Sequence, residues 1–577
     1  MLTSDTQRIE SRRLLILGLA LTLGLSIIVG QLVRLTVGQH TELKAKAEAE
    51  RLWEVEVPPV RGYIADANGK ILAMDVTQWD ISVSPPLVDK SEAGALADHV
   101  APLLDLPRDE LYTQLVSDAD WILLARGVDQ ETGETIAEMD ESGIKCEPRA
   151  KRVYPEGSLA CHVLGFVNDT GKGFYGVEGN YNNVLCGVVG KEQIEQDPGG
   201  EPLPIPAMVE NPPKPGTNLV LTLDSNIQYI VEEELARALE EYGAVSGTVI
   251  VMKPDTGALL AVASYPNYDP NHFADADAHY LADPSVSGMF EPGSIFKIIT
   301  WSGGLDSGTI SPGTTFYDSG ALEVGGRVML NSDRQGHGQV TMTDGLVQSL
   351  NTVAAYISTS MGKDRFYTYL RRFGFGDLTK VDLASEGPGM MKQPGDSNWF
   401  PSELGTNSFG QGIAVTPMQM IAAVAAVANQ GRLMKPYIVQ QYLAYDEETG
   451  GERTIQVEPM LVRKAISPES AQTLTNMLVQ VVEGMANKAQ VPGYTVAGKT
   501  GTAQIPTPYG YHPTDTIASF VGWVPADDPA FIILIKLDKP TTASWGSQTA
   551  APTFRAIAEQ LLIYLQIPPD DIRLAQH

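Results

Sequence analysis

The sequence predicts an α+β catalytic domain, with a central antiparallel sheet and a helical subdomain, behind a mixed α/β domain and one membrane-spanning helix. Three observations predict it. An uncharged apolar stretch of about 20 residues, 14–33, stands near the N-terminus. A proline-rich break, Asn211-Pro-Pro-Lys-Pro-Gly216, divides the rest of the chain in two. Beyond the break, strand patterns at both ends enclose a mainly helical middle, the arrangement of one sheet built from sequence-distant strands.

Taken in order, Arg8, Arg12 and Arg13 precede the apolar stretch and Arg34 follows it. The positive-inside rule puts residues 1–13 in the cytoplasm and the body of the chain outside. The apolar run exceeds that of a signal peptide, and Gln-Leu-Val-Arg-Leu-Thr-Val follows in place of a small-residue cleavage site. A retained anchor over 14–36 is expected. Residues 37–54, rich in Ala, Glu and Lys, predict a juxtamembrane helix stopped by Pro58-Pro59. Short strands, turns and a few helices are expected over 55–212. The second domain, 213–566, opens on an apolar strand at 218–223, and Asp224 then caps an amphipathic helix over 225–241. Residues 247–252 and 259–264 predict a hairpin turning at Pro254-Asp-Thr-Gly257. Residues 294–427 read as mainly helical, 467–490 as a helix, 494–505, 517–524 and 531–537 as strands, and 552–565 as a last helix. The C-terminal tail is 567–577, and its charged end, Asp570 to His577, is expected to be loose.

A net charge of −29, from 41 basic and 70 acidic residues, excludes nucleic-acid binding as a function class, because phosphate recognition needs clustered Lys and Arg. The three cysteines, Cys146, Cys161 and Cys186, have no zinc spacing and leave open either one disulfide, as between Cys161 and Cys186, or three thiols. No H-E-x-x-H occurs, so neither a metal nor a cofactor is expected.

Chemistry is carried by three short strings in one order. Ser294-Ile-Phe-Lys297 follows Glu291-Pro-Gly293, and Ile295, Phe296, Ile298 and Ile299 predict that the serine opens a buried helix with Lys297 on the same face. Burial lowers a lysine pKa and makes it a usable base, and a helix N-terminus favours developing negative charge at the serine. Two other S-x-x-K strings, Ser142 to Lys145 and Ser360 to Lys363, carry an internal glycine and lack the Pro-Gly lead, and are read as accidental. In Ser349-Leu-Asn351 the hydroxyl can relay a proton between Lys297 and a leaving amine, and the amide can donate to a substrate carbonyl. Alone, such a string is more often a loop or helix cap. Lys499-Thr500-Gly501-Thr502 lies in a run of strand formers. Lys499 and the Thr500 hydroxyl can hold a carboxylate, Gly501 leaves room for substrate backbone along the strand edge, and the Thr502 amide can point at the reacting carbonyl. The overlapping Gly493-Tyr-Thr-Val-Ala-Gly-Lys-Thr500 matches the P-loop letters, but no helix signal comes after it. Together the strings supply serine acyl transfer with lysine in place of histidine.

This order resembles the motifs of penicillin-binding proteins and serine β-lactamases. Arg61-Gly-Tyr-Ile-Ala-Asp-Ala-Asn-Gly-Lys-Ile-Leu-Ala73, Arg152-Val-Tyr-Pro-Glu-Gly157 and Gly176-Val-Glu-Gly-Asn-Tyr181 resemble the non-catalytic domain of the class B members, with Ala67 where arginine is usual. Ser408-Phe-Gly-Gln-Gly412, Thr416-Pro417 and Ala518-Ser-Phe-Val-Gly522 resemble their transpeptidase domain. The resemblance implies a serine β-lactamase-like transpeptidase domain behind an elongated dimerisation or pedestal domain. It further implies a peptidoglycan D,D-transpeptidase acting through a Ser294 acyl-enzyme, with Lys297, Ser349, Asn351 and Lys499 catalytic and Thr500, Gly501 and Thr502 binding substrate and oxyanion. Implied partners are the D-Ala-D-Ala stem pentapeptide, an acceptor strand, β-lactams, and a separate glycosyltransferase with division or sporulation proteins. A D,D-carboxypeptidase or β-lactamase-type hydrolase shares the strings. A β-lactam sensor carries several spans where this sequence has one, and an idle scaffold is the rival from outside the enzymes.

Overall fold

A computed structural model describes residues 3–195, 208–446, 448–507 and 510–575. The chain forms two compact units, Met1–Pro59 with Gly187–Pro215, and Val60–Cys186 with Gly216–His577.

In the first unit, one helix spans Thr3–Val33. It is long and apolar enough to cross a bilayer. Its side chains from residue 12 onward are largely uncovered by protein, with Leu14 and Leu21 71% and 75% exposed. A π-helical turn, Arg34–Gly38, leads to the helix His40–Arg51. This helix ends short of the expected 54 because Trp53-Glu-Val-Glu-Val57 alternates apolar and acidic residues at the period of a strand. Leu52–Val57 pairs antiparallel with Gly190–Glu195, which pairs with Met208–Asn211. Residues 196–207 of the expected first domain lie outside the described residues.

In the second unit the proline-rich break does not separate two sheets. Asn218–Leu221 pairs parallel with Ile64–Ala65 on one side and antiparallel with Val439–Asp446 on the other. The resulting seven-stranded sheet also contains Ile71–Val83, Ile122–Val128, Ile144–Val153 and Gly451–Gln456. The Asp66-Ala67-Asn68-Gly69 turn is tied to the catalytic domain. Asp66 Oδ2 accepts from the Ser225 hydroxyl at 2.7 Å, and the Ala67 amide donates to Leu223 O at 2.8 Å, so alanine at 67 keeps a backbone contact. Three of the sequence signatures meet in one buried ion network. Arg61 and Arg152 both donate to Glu178, and Arg152 also donates to Asp75 at 3.0 Å.

The catalytic part is numbered from α1, Ser225–Tyr242, whose first amides Asp224 caps as expected. The hairpin of β1, Ser246–Met252, and β2, Leu259–Tyr265, comes after it. Next come helices α2, Lys297–Asp306, α3, Asn351–Met361, α4, Pro417–Ala428, and α5, Pro468–Glu483. Strands β3, Ala497–Thr507, β4, Gly510–Val524, and β5, Phe531–Asp538, precede α6, Ala550–Tyr564. The five strands form one antiparallel sheet in the order β2-β1-β5-β4-β3. Residues 531–535 of β5 are buried without alternation, so both sheet faces are covered. α1 and α6 pack on each other and on the sheet, while α4 lies against β1 and β5 and contacts α2.

Two expectations are corrected. The middle is not helical throughout, since Thr315–Asp318 pairs with Gly338–Thr341 and Ala321–Val324 with Arg327–Leu330. Gly325-Gly326, both at positive φ, makes the second hairpin turn, a two-residue signal that glycines supply readily. Nor is the charged tail loose, because Asp570–Leu574 is helical, Asp570 accepts from the Thr495 amide at 2.7 Å, and Arg573 pairs with Asp527. Cys146 and Cys161 are free thiols, so Cys161 does not pair with Cys186.

Candidate active site

Ser294 lies half-buried in a 3₁₀ turn, Gly293–Phe296, that runs directly into α2 and packs against β3. Gly293, at φ +56°, opens the turn, where a Cβ would press on Ala503 and the Thr502 carbonyl of β3. Lys297, the first residue of α2, is fully buried, and three neutral acceptors receive its Nζ. These are the Ser349 carbonyl, Ser349 Oγ at 3.2 Å and Asn351 Oδ1 at 2.8 Å.

Ser349 presents two of these acceptors because its backbone is left-handed, at φ +58°. A non-glycine residue adopts that conformation at a cost, and such strain collects at functional sites. Asn351 begins α3, where its Nδ2 donates to Leu330 O at 3.0 Å. The adjacent Thr352 hydroxyl donates to Asp318 at 2.9 Å, so the two hairpins brace the start of this helix.

From the opposite side, Lys499 Nζ donates to Ser349 Oγ at 3.0 Å and to Thr500 O at 3.2 Å. Lys297, Ser349, Asn351 and Lys499 thus share one network centred on the Ser349 hydroxyl. Burial pushes Lys499 down to about 7. Burial, and then the positive charge of Lys499, holds Lys297 well below the usual lysine range.

Thr500, Gly501 and Thr502 lie on β3, the sheet's edge strand, opposite Phe520, Ser519 and Ala518 of β4. The clearance at Gly501 faces inward. A Cβ there would stand 2.4 Å from Ser519 Oγ and 3.0 Å from the Ile295 side chain, so glycine lets β3 close onto the Ser294 turn. The Thr502 hydroxyl accepts from the Gly546 amide at 3.1 Å.

The rival strings are elsewhere. Ser142, Lys145, Ser360 and Lys363 are exposed, and Lys145 pairs with Glu147. Lys499 and Thr500 of the P-loop lookalike are in a strand that continues to Thr507. Sequence reasoning did not single out Glu291 or Tyr511. The Glu291 carboxylate accepts from the Gly412 amide and the Tyr511 hydroxyl, each at 3.0 Å. Its place before Pro292-Gly293 was a signal for Glu291, whereas Tyr511 had none, since a hairpin bend brings it near.

Residues 247–559 match the family described as the penicillin binding protein transpeptidase domain, and residues 56–221 match the penicillin-binding protein dimerisation domain. Stage V sporulation protein D of Bacillus subtilis is 33% identical over 91% of this chain and 82% of its own. The probable peptidoglycan D,D-transpeptidase PbpC of Pseudomonas aeruginosa is 29% identical over 99% of this chain and 98% of its own. Among solved structures, penicillin binding protein 3 of Mycobacterium tuberculosis in complex with aztreonam superposes with a TM-score of 0.70 at 27% identity, over 89% of this chain and 98% of that one. With one family covering more than half of its residues and a dimerisation domain ahead of it, the chain belongs to the penicillin-binding protein transpeptidase family, in its class B form.

Proposed function

We propose that the protein is a peptidoglycan D,D-transpeptidase that cross-links stem peptides. The observation that carries this reading is the pair of buried lysines meeting at Ser349 Oγ beside the Ser294 turn. It is supported by relatives named as peptidoglycan D,D-transpeptidases and by a structural neighbour complexed with a β-lactam.

In this reading the stem's terminal carboxylate lies at Lys499 and Thr500. Ser294 Oγ adds to the carbonyl carbon of the penultimate D-Ala while neutral Lys297 takes its proton. The Ser294 and Thr502 amides hold the oxyanion. The C–N bond breaks, Ser349 passes the proton to the departing amine, and D-Ala leaves. An amine of a second stem then attacks the ester carbon, the new amide forms, and the proton it releases restores the Ser294 hydroxyl. Asn351 orients Lys297 and the substrate amide. The edge of β3 pairs with the extended stem.

The two lysines divide the labour by proton affinity. Burial lowers both, the positive charge of Lys499 lowers Lys297 further, and Lys499 holds its proton to about 7. Lys297 is the base and Lys499 the cationic clamp. Acylation accordingly follows a bell with its alkaline limb near 7.

Residues 55–212 serve as pedestal and 213–566 as transpeptidase domain, with the anchor over 14–36 leaving residues 1–13 inside the cell and the catalytic domain outside. The glycan strands come from a separate polymerase within division or sporulation machinery. Incubation with a pentapeptide donor and an acceptor amine tests the activity, with cross-linked dimer and free D-Ala expected. Free D-Ala without dimer would make the protein a hydrolase, and neither product would leave a scaffold. External protease on intact protoplasts should remove nearly the whole chain, and protection of the catalytic domain would overturn the orientation.

A further inference from the structure

We propose that Glu291 and Tyr511 form a clamp that positions the outer half of β3, Gln504–Thr507, as the subsite for the donor stem upstream of its D-Ala pair. The inference rests on the transpeptidase reading of the same site.

Glu291 stands three residues before Ser294 on a platform fixed by backbone bonds. Phe290 and Val415 exchange amide and carbonyl at 3.0 and 2.9 Å, and the Gly293 amide donates to Gly410 O at 3.1 Å. One carboxylate oxygen accepts from Gly412 of that same loop, and the other accepts from Tyr511 in β4. Burial raises the Glu291 pKa against the pull of these donors and of the nearby Arg327 and Lys392. The hairpin needs such a tie. Its register shifts between Gln504 and Pro506, so the outer pairs, Pro506 with Tyr511 and Thr507 with Gly510, do not continue the inner ladder. Tyr511 on Glu291 joins this outer part to the nucleophile's own turn.

The direction of the substrate gives the tie its consequence. With the carboxylate at Lys499 and Thr500 and the scissile carbonyl at Thr502, the upstream stem runs past Ala503 and along Gln504–Thr507. An extended peptide backbone reads that half of the strand, whereas a β-lactam nucleus ends near Thr502. Glu291 is therefore a positioning residue for peptide donors, acting through Tyr511.

The test compares two rates and the melting temperature in the full-length protein. Tyr511→Phe should lower kcat/KM for a pentapeptide donor about tenfold, mainly through KM, with penicillin acylation changed less than about threefold. Glu291→Ala should do at least as much, and adding Tyr511→Phe to it should do nothing more. Glu291→Gln should recover the donor rate to within about threefold, because its oxygen accepts from Gly412 and its NH₂ donates to the tyrosine hydroxyl. An equal fall in both rates would reduce the pair to a structural contact and overturn the proposal, as would an unchanged donor rate. If the wild-type protein is not acylated by penicillin at all, the transpeptidase reading fails and the clamp with it.

Discussion

Two buried clusters of charge in this chain obey opposite rules. Around Glu178, which is fully buried, Arg61, Arg152 and Asp75 alternate in sign. Around Ser349, two buried lysines face each other, and the acceptors of their Nζ atoms among the described residues are all neutral. Opposite charges offset one another's desolvation, while like charges without a counter-ion drive a proton off. The first arrangement holds a domain together. The second holds a base ready at some cost in stability.

Experiments can break this contrast. The largest effect is expected of Ser294→Ala, which should abolish covalent labelling by fluorescent penicillin, while Ser142→Ala and Ser360→Ala label normally. Retained labelling would move the nucleophile elsewhere. Lys297→Met should slow acylation by about 10²–10⁴-fold. Its melting temperature should not fall, because burial makes the folded lysine hold a proton less readily than the unfolded chain does, so the wild-type lysine costs stability that is regained only as pH rises. Melting well below wild type would mean that this lysine is structural. Glu178→Ala should do the reverse, destabilising the protein by roughly 3–5 kcal/mol, because Arg61 loses its buried carboxylate and Arg152 keeps only Asp75, while the folded fraction acylates at the normal rate. A stable variant would show the network to be dispensable. Lys499→Met should weaken acylation, remove the alkaline limb near pH 7, and move the acid limb upward, since Lys297 loses its cationic neighbour. A pH profile that keeps its shape would separate the two lysines. The smallest effect is expected of Asp66→Asn, about 1–2 kcal/mol from weaker bonds at Ser225, Asn68 and Lys70, read by chemical denaturation.

Much of this molecule is legible along the chain, and each departure from that reading has its own cause. Asp224 as a helix cap and Pro254 to Gly257 as a hairpin turn are local, because the residues that decide them are neighbours. Helix-forming composition carries the juxtamembrane helix to residue 54, whereas the alternation from Trp53 to Val57 ends it at Arg51. The hairpins between Thr315 and Thr341 interrupt helical surroundings whose apolar pattern hides four-residue strands. A strand's two faces look alike in sequence, so Gly501 reads as substrate clearance, yet its missing side chain faces Ile295 and Ser519.

The sequence by itself determined the chemical inventory and its order, namely a serine and lysine one helical turn apart, a serine and asparagine, and a strand bearing lysine and threonine. Short-range geometry is written in short-range spacing. Only the tertiary structure decided that Lys499 comes within 3.0 Å of the hydroxyl that also receives Lys297, across 150 residues of chain. The left-handed turn at Ser349 and the approach of Tyr511 to Glu291 were decided there too. Desolvation and like-charge repulsion depend on what surrounds a group in space, and spacing along the chain does not encode it.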